Sequence, residues 1–383
     1  MNLLTIYMKN KGGGFVKRFI GMIEACTRRE HTVDYLCRGE LPIKSNLVHH
    51  HAVPLLGGKR VLLAMYLLVV APIRLMIVAG RKETDVLVVF GFFYGFLMIP
   101  ARLLMKRPLV IFVRGDWIGE LQRKQTFGLV ILAARLIRFW AFRAADSVVV
   151  NSNSLRNIIG LTCNDKQRER IVVITNHVEP IALDQRLHLQ RSCPVDLQKL
   201  RPAGQAFIIG YAGGLNANKD VALLIRAFAR LQVQRNVLVL VGSGPDEARL
   251  KALAEELNVA ARVYFAGQQP DALSFIANFN LLVLPSHGEG CPNVVLEAMA
   301  CGIPAIGSAV PGVLDVLRNK ELLYPPGDED ALYNKLELLS GSPEDLNIIA
   351  QTCRVCREPF LFDWDKAVVD HLLRVELAAR PGA

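Results

Sequence analysis

The chain has 383 residues, 52% of them hydrophobic and 21% charged. That balance excludes a disordered polypeptide, and the length suits two ordinary domains. The net charge of +10 is uneven: residues 1–200 hold 29 Lys and Arg against 14 Asp and Glu, whereas residues 201–383 hold 16 against 21, so the front half is expected to meet something anionic.

In chain order, an apolar strand at 3–8 comes first. No basic stretch precedes it, so it is not read as a signal peptide, and a cytoplasmic setting is expected. The glycine run Gly12-Gly13-Gly14 follows and allows close backbone approach to a ligand. Strands are expected at 32–36, 85–90, 109–113, 147–150 and 171–174, with helical spacing between them, as at 127–143. Two uncharged runs, 61–73 and 86–101, are too short or too broken by Pro and Gly to span a membrane. Their basic edges, Lys59, Arg60, Arg102, Lys106 and Arg107, fit either buried elements with solvated ends or interfacial anchors. The polar segment 182–205 divides the halves. Beyond it, strands are expected at 206–211, 237–241, 263–266 and 281–285. Helices are expected at 219–231, with Leu224, Phe228 and Leu231 as its stripe, and at 247–257. This alternation predicts an α/β protein of two doubly wound, Rossmann-like parallel sheets facing across a cleft, with domains at 1–182 and 206–358. The eight cysteines are scattered, and the lone C-x-x-C at Cys353 and Cys356 lacks a second pair at zinc spacing.

Two segments carry chemistry. In Pro285-Ser286-His287-Gly288-Glu289-Gly290-Cys291-Pro292-Asn293, a buried strand runs through a glycine loop into a helix that continues through Glu297 to Gly302-Ile303-Pro304. Backbone N–H groups ahead of a helix favour a phosphate, and Pro292 suits the first turn. Glu297, flanked by Leu296, Ala298 and Met299, needs a partner such as a diol. In Tyr211-Ala212-Gly213-Gly214-Leu215-Asn216-Ala217-Asn218-Lys219-Asp220, a lysine opens a helix, where it opposes the helix dipole unless it faces a phosphate. Val241-Gly242-Ser243-Gly244-Pro245 reads as a turn.

These segments resemble the retaining GT-B glycosyltransferases of glycosyltransferase family four, the "glycosyl transferases group 1" domain. Looser echoes are Gly12-Gly13-Gly14, Asn151-Ser152 and Asn176-His177-Val178-Glu179. The resemblance implies a hexosyltransferase acting in cell-surface polysaccharide or lipopolysaccharide synthesis. It implies a nucleotide-diphosphate sugar held by the back domain at Gly213, Gly214, Lys219, Gly290, Cys291, Pro292, Asn293 and Glu297, with Glu289 beside the donor sugar and Glu297 on the ribose hydroxyls. It also implies that the front domain binds the acceptor and that residues 361–383 cross back onto it. Gly214 stands where the family has arginine and Arg114 where it has histidine. Arg114 is therefore expected to supply a cation, and Asp116 to orient or deprotonate the acceptor. No Asp-x-Asp metal motif appears in these segments, and Lys219 can take the cation's part, so no metal and no other cofactor is expected. Expected partners are the nucleotide sugar, a saccharide or lipid-linked acceptor and an anionic membrane surface on the inner face of the cytoplasmic membrane. Nucleic acid is not expected, because aromatic and basic residues do not interleave. A nucleotide-sugar epimerase or hydrolase, or a non-catalytic nucleotide-sugar-binding relative, is the alternative.

Overall fold

Strands that are apolar on both faces must be covered on both faces, and the chain does this with two all-parallel sheets. A computed structural model describes residues 1–7, 14–37, 40–53, 66, 70–81, 83–123, 126–195, 197, 207–232 and 236–380. Gly12, Gly13, Lys59, Arg60 and most of the run 61–73 lie outside the described residues.

The chain divides into two units, one formed by Met1–Thr175 with Asp363–Ala383 and the other by Asn176–Phe362. In the first, β1 (Asn2–Ile6), β2 (Thr32–Cys37), β3 (Val48–Ala52), β4 (Val86–Phe90), β5 (Leu109–Val113), β6 (Ser147–Val150) and β7 (Ile171–Val173) form a sheet in the order β3-β2-β1-β4-β5-β6-β7. In the second, β8 (Phe207–Ala212), β9 (Asn236–Val241), β10 (Val263–Gly267), β11 (Leu281–Leu284), β12 (Ala305–Ser308) and β13 (Leu323–Tyr324) run in the order β10-β9-β8-β11-β12-β13. Both are Rossmann-like, with the strand order reversing beside β1 in one and beside β8 in the other. The carboxyl ends of strands at such a reversal are where doubly wound folds bind ligands.

Several expectations change. The run 86–101 is core: every residue of β4 is buried, and the helices Phe92–Leu97 and Ile99–Met105 follow it. Arg102 is not a loose basic edge, since its Nε and Nη2 donate to both oxygens of Asp146 at 2.8 and 2.9 Å. The unit boundary falls after Thr175 rather than at 182, and the polar segment contains the helix Leu183–Arg191, within the second unit. Strand β3, Val-His-His-His-Ala, is an edge strand that no apolar run announces; the His50 ring stacks on Tyr35 with centroids 4.8 Å apart. Cys353 is a helix residue whose thiol lies 3.4 Å from the Ala305 amide of β12.

The helix Trp364–Ala378 packs on the helix Gly14–Thr27 of the first unit. Arg18 lies over the Trp364 ring at 5.4 Å, and Arg28 Nε donates to Asp365 at 3.1 Å. His371 Nε2 meets the Ser147 hydroxyl at 2.9 Å; burial, aided by the Arg374 charge, pulls its pKa down to about 4, so the ring is neutral. No helix among the described residues is long and apolar enough to cross a membrane.

Candidate functional site

The loop after β8 is held from below. Tyr211, fully buried, donates its hydroxyl to the Gly214 carbonyl at 2.9 Å. Burial, then the charge of Glu289, raises the phenol's pKa, so it remains a donor. The Gly213 amide donates to Val241 O at 2.9 Å and the Leu215 amide to Ser243 O at 3.0 Å. Gly242 has φ +133°, and a Cβ there would lie 1.9 Å from Gly213 O; at Gly244 a Cβ would lie 2.0 Å from Leu215 O. The stretch expected to be a simple turn is thus the floor of the glycine loop, and both glycines are needed for the backbones to meet.

Lys219 does not open the helix. It ends a short 3₁₀ turn, Ala217–Lys219, in which the Asn216 side chain accepts from the Asn218 amide. Asp220 then takes φ +41° and caps the helix Val221–Ala229 through Leu223 N. This break removes the conflict with the helix dipole and lets the Lys219 side chain go elsewhere.

It goes to the loop after β11. Lys219 Nζ donates to Glu289 Oε1, which also accepts from Ser286 Oγ at 2.7 Å. Both members of the ion pair are largely withdrawn from solvent, Glu289 more so. The two loops are zipped on either side of this pair. Asn218 Nδ2 donates to Gly288 O at 2.9 Å, the His287 amide to Asn218 O at 2.8 Å, and His287 Nε2 lies 3.1 Å from Asp220 Oδ2. Pro292 stands at the N-cap of the helix Asn293–Ala300 rather than in its first turn, and Glu297 lies half-buried on that helix. Asn176, buried, donates to Cys291 O at 2.8 Å and to Asn293 Oδ1 at 2.6 Å. Gly312 supports the loop from behind: a Cβ there would stand 2.3 Å from Glu289 O.

The structure therefore brings Gly213, Gly214, Lys219, Glu289, Gly290, Cys291, Pro292, Asn293 and Glu297 to the carboxyl edge of the second sheet. Sequence reasoning missed Ser286, Asn218, Asp220 and Gly312 as supports; the only signal for the last was a Pro311-Gly312 pair after a strand. Arg114 and Asp116 belong to the first unit, beyond the carboxyl end of β5. Asn151 Nδ2 donates to Arg114 O at 3.3 Å, and Asp116 Oδ1 accepts from Gly119 N at 3.0 Å, capping the helix Trp117–Arg123. The neighbouring Ser152 caps the helix Asn153–Gly160, so the Asn151-Ser152 echo has a structural use. Gly14 is the first residue of the helix Gly14–Thr27. Among the described residues no group of three or more His, Cys, Asp or Glu could hold a metal ion.

Two Rossmann-like sheets, with a lysine–glutamate pair and a second glutamate at the carboxyl edge of one of them, define a protein of the GT-B class. Residues 13–177 match the family described as "Glycosyl transferase 4-like domain" and residues 194–354 the family described as "Glycosyl transferases group 1"; the chain belongs to the group 1 glycosyltransferases. It is 28% identical over 192 residues to N-acetyl-alpha-D-glucosaminyl L-malate synthase of Bacillus anthracis, covering 49% of this chain and 48% of that protein. It is 32% identical over 152 residues to the lipopolysaccharide core biosynthesis glycosyltransferase LpsD of Rhizobium meliloti, covering 39% and 44%. The chain thus spans about half the length of the curated relatives it matches. The fold is shared with Anabaena Alr3699/HepE, solved in complex with UDP, at a TM-score of 0.76 and 19% identity over 99% of this chain and 100% of that one.

Proposed function

We propose that this chain transfers a hexose-type unit from a nucleotide-diphosphate sugar to an acceptor hydroxyl with retention, in the assembly of a cell-surface polysaccharide or lipopolysaccharide. The observation that carries this reading is the Lys219–Glu289 pair, set between two interlocked loops at the strand reversal, with Glu297 on the helix that the same loop begins. The UDP in the HepE structure and the lipopolysaccharide role in LpsD's name support it.

Each residue then has work that its chemistry suits. Glu297 accepts from the ribose diol. The diphosphate draws Lys219 from Glu289 and takes N–H groups from Gly290 and Cys291, while Gly213 and Gly214 let the backbone come close. The anomeric C–O bond breaks and its electron pair leaves on the phosphate oxygen, where the Lys219 charge is worth most. The acceptor oxygen bonds the anomeric carbon on the face the phosphate left, and its proton passes to a base. Asp116 is proposed to orient or deprotonate that hydroxyl, and Arg114 to serve as a second cation. Residues 1–175 with 363–383 are the acceptor-binding part and 176–362 the donor-binding part. The setting is cytoplasmic, at the inner face of the membrane where lipid-linked acceptors are built.

An assay of nucleoside diphosphate release tests this. Release only with acceptor present supports transfer; release without it makes the protein a hydrolase; donor binding with no turnover makes it a binding relative. Because Lys219 does the work of a metal ion, rates in excess chelator should equal those with magnesium. Activity that chelator abolishes and magnesium restores overturns this part. Glu297→Ala should weaken nucleotide-sugar binding by about 1.5–3 kcal/mol, since a diol loses a charged acceptor. Calorimetric titration measures this directly, and an unchanged affinity removes Glu297 from the ribose.

A further inference from the structure

The helix Gly128–Ala144 turns a stripe of apolar side chains outward. Its inner side packs closely: Ala134 and Ala141 are buried, and Phe142 meets Phe92 with ring centroids 6.3 Å apart. Gly95 lies between this helix and β5: a Cβ there would stand 2.4 Å from Ile111 Cδ1 and 3.4 Å from Ala141 Cβ. On the outer side Leu129, Leu132, Leu136 and Trp140 recur at three- and four-residue spacing with Phe139 alongside, all exposed; Leu129 is 78% exposed and Trp140 51%. Phe127, just ahead of the helix, is 86% exposed. Single exposed leucines are ordinary, but a stripe of this size marks an interaction surface. The helix Ile99–Met105, packed beside it, adds exposed Leu103 and Leu104 and is followed by exposed Lys106.

Charge identifies what covers it. Between Glu120 and Asp146 the sequence has no acidic residue, yet it holds Arg123, Lys124, Arg135, Arg138 and Arg143. Arg135 and Arg143 are exposed on the helix. A second copy of the chain meeting this face symmetrically would set one basic helix against another. Leucine, phenylalanine and tryptophan flanked by arginine instead suit the headgroup region of an anionic bilayer.

We propose that the helix Gly128–Ala144 is the surface by which this chain docks on an anionic lipid bilayer, with Phe127, Leu129, Leu136, Phe139 and Trp140 inserted and Arg135 and Arg143 on lipid phosphates. The helix Trp117–Arg123, capped by Asp116, packs against it, so docking brings the carboxyl edge of the first sheet to the headgroups. That consequence rests on the reading of a lipid-linked acceptor; the docking itself does not.

Sedimentation of the whole chain with vesicles tests it, using phosphatidylcholine alone and phosphatidylcholine mixed with phosphatidylglycerol. Binding is expected only to the mixed vesicles at about 0.1 M salt, and should fade as salt shortens the screening length below about 10 Å. The pairs Phe139→Ser with Trp140→Ser, and Arg135→Glu with Arg143→Glu, should each lower the bound-to-free ratio by at least about tenfold. These side chains are exposed, so the melting temperature and its rise with UDP-sugar should match the unmodified chain. That rise reports on the donor site alone, which separates failure of docking from failure of the sugar-transfer reading. No binding to the mixed vesicles, or equal binding by both variants, overturns the proposal. So does a dimer that these substitutions dissolve without any vesicle binding.

Discussion

Lys219→Ala should lower turnover by about 10²–10³-fold, a transition-state loss of about 2.7–4 kcal/mol, while donor affinity falls far less. The amine is already held close to Glu289, so the ground state gains little from exchanging one anion for another. The gain comes when the departing diphosphate takes up the electron pair of the broken bond. Glu289→Gln should have a different signature. The amide keeps a partner in Ser286 but no longer competes for the lysine, so nucleoside diphosphate should bind at least as tightly while turnover drops. Steady-state kinetics alongside calorimetric titration of the diphosphate separates the two effects. Unaltered turnover in both variants means the pair is not the reacting centre.

Gly242→Ala should destabilise the second unit by about 2–5 kcal/mol, combining left-handed backbone strain with a forced displacement of packed backbone. The atom in the way is the Gly213 carbonyl oxygen, 1.9 Å from where the methyl would stand, and no side-chain rotation relieves it. In a unit of this size the melting temperature should fall by about 4–20 °C, and donor affinity should fall with it because the displaced strand end carries the glycine loop. Gly267→Ala is the control. Its φ of +66° carries strain, but nothing lies within 4 Å of the new methyl, so about 1 kcal/mol is expected. Thermal melts followed by circular dichroism compare the two; equal losses would mean that crowding at Gly213 contributes nothing.

The central strands β1, β4, β5, β8 and β11 were legible because each is an apolar run with no charge. The edge strand β3 was not: its three histidines gain little from burial, and it is held by pairing with β2 and by side-chain contacts such as that of His51 with Asp34 at 2.6 Å. Apolar content also could not tell core from surface. The run 86–101 and the helix Gly128–Ala144 are similarly greasy, yet one is buried under its neighbours and the other leaves half its side chains in solvent. Which face is covered depends on tertiary packing, here that of the helix Gly128–Ala144 on Phe92–Leu97. At the candidate site, the sequence pattern singled out Glu289, Glu297 and Lys219. It could not show that Lys219 ends a turn before the helix, because that depends on Asp220 adopting a left-handed conformation. Nor could it show that Gly242, Gly244 and Gly312 serve the loops, since close backbone approach leaves no mark beyond the glycine itself.

The last helix closes the first unit from the far end of the chain. Residues 176–362 are therefore an insertion within a unit whose two pieces are separated by that whole stretch. On the ribosome, the sheet β1–β7 emerges early but must wait for the entire second unit before Trp364–Ala378 can cover the helix Gly14–Thr27 and bring His371 to Ser147. The second unit is contiguous and can fold as soon as it is made, so it should reach its native state first, although it is synthesised later. Until that helix has left the ribosome, the face of Gly14–Thr27 that it covers stays open.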